Sequence, residues 1–60
     1  MNLELKSNFK FSAESLLCNI SYGTLYEVKE KWAKHRMVVD DKAKKVWLSG
    51  NVIRKYFKEA

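Results

Sequence analysis

His35 is the only histidine and Cys18 the only cysteine of this 60-residue chain, and neither has a partner at a spacing that does chemistry. A catalytic imidazole needs a nucleophile and an orienting carboxylate within reach, and no recognisable pattern supplies them. His35 is expected instead at the end of a helix, where its protonated ring favours the C-terminal dipole. A lone cysteine excludes an intramolecular disulfide and, without Cys or His at ligand spacing, a structural zinc site. Cys18 is therefore expected as a small buried hydrophobe. Asp40 and Asp41 are neighbours, so on a strand end they would point to opposite sides, which suits a turn better than a metal. There is no glycine-rich phosphate loop. The expectation is a non-enzyme with no catalytic residue, no metal ligands and no cofactor.

Charge points to a different kind of chemistry. The formal net charge is +5 and it is unevenly spread. Residues 1–28 carry Lys6 and Lys10 against Glu4, Glu14 and Glu27, whereas residues 29–60 carry ten Lys and Arg against four acids. Basic charge concentrated in one half is the footprint expected of a polyanion binder.

Sixty residues suit a single small domain, 1–60, of marginal stability that must use its large apolar residues efficiently. Phe9, Phe11, Leu16, Leu17, Leu25, Trp32, Trp47 and Phe57 are the obvious core stock. The chain starts with Met, has no apolar run of signal-peptide length, and lacks the roughly 20 apolar residues that span a bilayer. A cytoplasmic, nucleoid-associated setting with no membrane partner is the expectation.

The elements follow from periodicity. Residues 3–11 alternate apolar and polar, which predicts a half-buried strand or an extended arm. Ser12 is placed to cap a short helix through Leu16 and Leu17 that ends near Asn19. Ser21 is placed to cap a second, with Leu25, Val28 and Trp32 on one face at helical spacing. Residues 36–48 are β-branched and aromatic around a polar break, which predicts a hairpin with a four- or five-residue loop. Ser49 would cap a last helix with Val52, Ile53, Tyr56 and Phe57 as its buried stripe. The fold class so read is α+β, a small winged helix-turn-helix with an N-terminal strand or arm, two helices, a β-hairpin wing and a C-terminal helix.

In that geometry the second helix enters the major groove of duplex DNA. Ser21 and Thr24 at the helix start suit a phosphate. Gly23 allows close backbone approach, with Tyr22 and Tyr26 at the edges. Glu27 suits a cytosine amino group, and Lys31 and Lys34 suit guanine or backbone. Lys42, Lys44 and Lys45 at the hairpin tip would serve a wing reaching phosphates. Trp32 and Trp47 are expected in the core; binding of single strands by stacking would require them to be exposed.

Ile20-Ser21-x-x-Thr24-Leu25-Tyr26, a following helix and wing, and Trp47-Leu48-Ser49 before a closing helix resemble the small winged helix-turn-helix proteins of the excisionase (recombination directionality factor) and MerR-like group. The resemblance covers roughly residues 11–58. It departs at Glu14-Ser15, at Glu27-Val28 and at Trp32-Ala33-Lys34-His35-Arg36. It implies a sequence-specific architectural DNA-binding protein of a phage or mobile element, which binds repeated sites near an attachment site, bends DNA and directs an integrase toward excision. The partners implied are double-stranded DNA, an integrase and neighbouring copies of the chain. The alternatives are a standalone winged-helix transcriptional regulator and a small phage protein that inhibits a host protein, anchored by Tyr22, Tyr26 and Tyr56.

Overall fold

The computed structural model describes residues 1–60. Six strands and one short helix run in the order β1 (Asn2–Leu5), β2 (Tyr26–Glu27), β3 (Glu30–Trp32), β4 (His35–Val39), β5 (Lys45–Leu48), α1 (Gly50–Tyr56) and β6 (Phe57–Glu59). They form two three-stranded antiparallel sheets, β2-β1-β6 and β3-β4-β5.

One stretch of chain joins the sheets. Val28 donates its N–H to Met1 at 3.0 Å, on the first sheet, and Lys29 donates to Met37 at 2.8 Å, on the second. The chain thus changes sheets between Val28 and Lys29, and β2 and β3 act as one bent strand. The two sheets, joined in the order β6-β1-(β2/β3)-β4-β5, share a single core. Leu3, Leu5, Tyr26 and Phe57 from one sheet meet Val38, Val46 and Leu48 from the other there, with Leu17 and Ile20 plugging the side. Burial of each such side chain contributes about 1.5–3 kcal/mol.

The winged helix-turn-helix does not form, and the resemblance to excisionases and MerR-like proteins fails with it. Residues 12–19 fold as successive turns closed by Ser15 N–H to Ser12 O (3.0 Å), Cys18 N–H to Ser15 O (3.1 Å) and Ile20 N–H to Leu17 O (3.0 Å). Ser15 also accepts from Leu17 N–H through its hydroxyl at 3.1 Å. Such local side-chain bonds compete with the helical ladder. Residues 21–35, expected as the recognition helix, are a loop followed by β2, β3 and a hairpin turn.

The chain there follows a period of two, not 3.6. Spacing from Val28 and Trp32 puts Leu25 inside, yet it is 55% exposed, and its neighbour Tyr26 is 4% exposed. Aromatic and β-branched residues suit either period, and pairing with β1 and β4 decided it. The hairpin expected over 36–48 is present as β4 and β5, but it belongs to a three-stranded sheet and is not a wing beside two helices.

Both hairpin turns of this sheet use alanine in the left-handed region. Ala33 (φ 53°) opens the β3–β4 turn, and Ala43 (φ 63°) lies in the β4–β5 turn. In the latter, Ala43 N–H donates to Asp40 O at 3.0 Å, and Asp40 N–H donates to Lys44 O at 2.9 Å. The buried Asp40 carboxylate accepts the N–H groups of Lys42 and Lys44, each at 2.9 Å.

The closing helix is present but short. Ser49 caps it by accepting from Val52 N–H at 3.2 Å, and Phe57 leaves it to begin β6 rather than extending its stripe. Cys18 is exposed, not buried. No helix is long and apolar enough to cross a membrane.

Candidate functional site

Alternation along β3, β4 and β5 sends one set of side chains to the core and the other outward. Val38 and Val46 face each other in the core, and one step along the same face the core residue Leu48 pairs with the half-buried Arg36. The opposite face carries the row Glu30, Met37, Trp47 and, one step along, the pair Trp32 and His35. Met37 is only 3% exposed yet is not part of the core between the sheets. It is the apolar floor of the outer face.

The two tryptophans stand on this floor in contact with solvent. Trp32 is 70% exposed and Trp47 41%, which reverses their expected place in the core. Trp32 sits beside His35, with ring centroids 5.9 Å apart and planes inclined at 49°. With Glu30 and Lys31 these three rings line a shallow, open concavity of about 410 Å³.

The site is held by its neighbours. Arg36 donates through Nη1 to Ala33 O at 3.0 Å and to His35 O at 2.8 Å, which ties down the β3–β4 turn between Trp32 and His35. His35 Nδ1 is screened from solvent and has no hydrogen-bond partner. An unmet polar atom in a fold that otherwise satisfies its buried polar side chains marks a corner not arranged for stability alone.

Four of the five net positive charges belong to this sheet and its turns. Residues 29–48 carry seven Lys and Arg against Glu30, Asp40 and Asp41. Asp40 and Asp41 are both engaged in hydrogen bonds within the fold.

The residues selected from sequence scatter over the molecule. Ser21, Tyr22, Gly23 and Thr24 lie in the long β1–β2 loop, where Gly23 has φ 87° and so supplies a left-handed turn, not the start of a helix. Ser21 N–H donates to Tyr26 Oη at 2.7 Å, and Ser21 Oγ donates to Asp41. Tyr26 is buried, so neither base contact nor partner anchoring is open to it. Burial is the main reason its phenol titrates above the ordinary 10.0. The Asp41 carboxylate beside it adds to that shift, and the Ser21 N–H offsets part of it. Glu27 is on β2 and pairs with Lys29 at 3.1 Å. Lys42 and Lys44 are in the β4–β5 turn, and Lys45 begins β5.

Only Lys31 of the selected residues lines the concavity, and Lys34 is in the turn next to it. Trp32, His35 and Trp47 are expected in the core or at a helix end and instead line the concavity. Period two across residues 35–48 is the signal for Trp47, which it puts opposite in face to Val46 and Leu48, and Trp32 joins that face only through its pairing with His35.

No family model, curated protein or solved structure matches this chain. The functional reading therefore rests on geometry. That geometry removes the excisionase role and sequence-specific duplex reading, together with the regulator alternative. There is no recognition helix to enter a major groove and no wing flanking one. The links to DNA recombination, a mobile element or bacteriophage, and transcription regulation lose their basis with it. The host-inhibitor alternative loses its central anchor because Tyr26 is buried.

Proposed function

We propose that this chain is a small binding module, not a catalyst, and that its outer sheet face takes single-stranded nucleic acid by stacking bases on Trp32 and Trp47. The observation that carries the reading is the exposure of both indoles on the most basic part of the molecule. Proteins that hold single strands combine aromatic platforms with a cationic surface that tracks the phosphates. Each stacked base contributes about 1–3 kcal/mol, and this is independent of sequence because every base has a π-face. Lys31 lines the concavity, Lys34 lies in the turn beside it, and Lys45 shares the outer face of β5 with Trp47. A duplex offers no unstacked bases, so the platform favours unpaired strands.

The experiment is a fluorescence titration. Trp32 and Trp47 are the only tryptophans, so all indole emission reports on the site. A twelve-nucleotide dT or rU strand should quench it at low salt. If about three phosphates are neutralised, log K should fall against log salt with a slope of roughly −2. Poly-glutamate of equal charge should bind without comparable quenching. Equal quenching by poly-glutamate, tighter binding of a duplex, or no quenching at low salt would each overturn the reading.

A further inference from the structure

The concavity has one feature that general strand binding does not call for. Glu30 places a carboxylate on its wall, where Lys31 is the one lysine or arginine that lines it. Its side chain makes no ion pair and no hydrogen bond, although Lys29 and Lys31 flank it. Lys29 is instead engaged with Glu27 at 3.1 Å. Glu30 belongs to the same cross-strand row as Met37 and Trp47, two strands away from the indole. Trp32 is two residues further along its own strand, on the same face. Neighbouring strands lie about 4.8 Å apart, and residues i and i+2 about 7 Å apart. These spacings place Glu30 on the same face as both indoles, within the span of a base stacked on either.

A carboxylate accepts hydrogen bonds and donates none. It suits a base edge that presents two adjacent donors and repels one that presents a lone pair. The Watson–Crick edge of guanine carries N1–H and the N2 amino group side by side, which matches the two carboxylate oxygens. Adenine sets its amino group beside the N1 lone pair, and cytosine sets its own beside N3. Thymine and uracil place a single N–H between two carbonyls. We infer that Glu30 is a specificity-determining residue that selects guanine among bases stacked on Trp32 and Trp47. This rests on the proposed single-strand binding, and it adds a base preference that stacking alone does not provide.

The test compares twelve-nucleotide dT strands whose two central positions are guanine, inosine, adenine, cytosine or thymine, all read by indole quenching. Too few guanines are present to form quadruplexes. The guanine strand should bind roughly tenfold more tightly than the others, the order of discrimination expected for a two-bond base contact. Inosine keeps N1–H and lacks the N2 amino group, so it should lose most of that advantage with no change to the protein. Glu30→Gln should abolish the preference while binding the dT strand at least as well, because a charge that repels phosphate is gone. Equal affinity for all five strands would overturn the role of Glu30 and leave the platform standing. Failure of every strand to quench would overturn both. Retention of the guanine preference in Glu30→Gln would assign it to another residue.

Discussion

Tyr26 and Asp41 are joined by a hydrogen bond of 2.7 Å from the phenol to the carboxylate, which pins the β4–β5 turn to β2 of the other sheet. The same phenol oxygen accepts Ser21 N–H, and Asp41 N–H reaches back to Asn19 O at 3.0 Å. One buried side chain thereby fastens the long β1–β2 loop to both sheets. It also makes stability depend on alkali. The folded-state titration of Tyr26 is raised, chiefly by burial, so the unfolded chain loses this proton first as pH rises. Its contribution is complete below the ordinary tyrosine value of about 10 and is lost as pH climbs from there through the folded value. Urea denaturation between pH 8 and 11 should show stability falling above about pH 10. Tyr26→Phe should lower stability at pH 7 by about 1–2 kcal/mol and flatten that decline. An unchanged alkaline slope in Tyr26→Phe would refute the assignment.

Asp40 is the only buried acidic residue, and its Oδ1 serves two backbone donors of the hairpin turn. Removing it leaves two N–H groups to find other partners in a partly screened turn. Asp40→Ala should cost about 2 kcal/mol, a fall in Tm of roughly 8–16 °C in a domain of this size. Asp40→Asn retains the acceptor oxygen and should cost about half as much. Equal losses for the two variants would mean that charge, not acceptor geometry, holds the turn.

Ala33 and Ala43 sit at φ 53° and 63°, where a Cβ is disfavoured by about 1–2 kcal/mol relative to glycine. Ala33→Gly and Ala43→Gly should each raise stability by several tenths of a kcal/mol, since the relief of strain exceeds the added entropy of the unfolded chain. Gly23 is the converse case. A Cβ there would meet nothing within 4 Å, but φ is 87°. Gly23→Ala should therefore destabilise by about 1 kcal/mol through backbone strain alone. Thermal unfolding of the three variants reads all of this, and a stabilising Gly23→Ala would contradict the turn geometry.

The two alanines also explain why much of the fold was hidden in the sequence. A hairpin turn normally declares itself by Gly or Asn where φ is positive. At Ala33-Lys34 nothing interrupts the run from Leu25 to His35, so a strand, a turn and the start of another strand read as one amphipathic helix. The β4–β5 hairpin was legible because Asp40 and Asp41 break a β-branched run, and the closing helix because Ser49 precedes it. Leu3 and Leu5 were legible as the inward set of an alternating strand. The site was not legible, because large aromatics are first assigned to a core. Here that core is filled by Leu3, Leu5, Val38, Val46, Leu48 and Phe57, so the indoles were free to face outward.

That division between core and platform is itself testable. Trp32 is mostly exposed and belongs to no core contact set, so Trp32→Ala should change stability by less than about 0.5 kcal/mol. If it stacks a base, the same variant should weaken strand binding about tenfold, from the 1–3 kcal/mol that one stacked base contributes. Affinity must then be read by anisotropy of a labelled strand, because one indole reporter has been removed. Trp47 covers the Met37 floor, so Trp47→Ala should lose both affinity and some stability, and Trp47→Phe should recover much of each. Lys31→Gln and Lys45→Gln should weaken binding to all strands alike and each make the salt slope shallower by about 0.7. If Trp32→Ala destabilises strongly while leaving affinity intact, the ring is structural and the platform belongs elsewhere on the molecule.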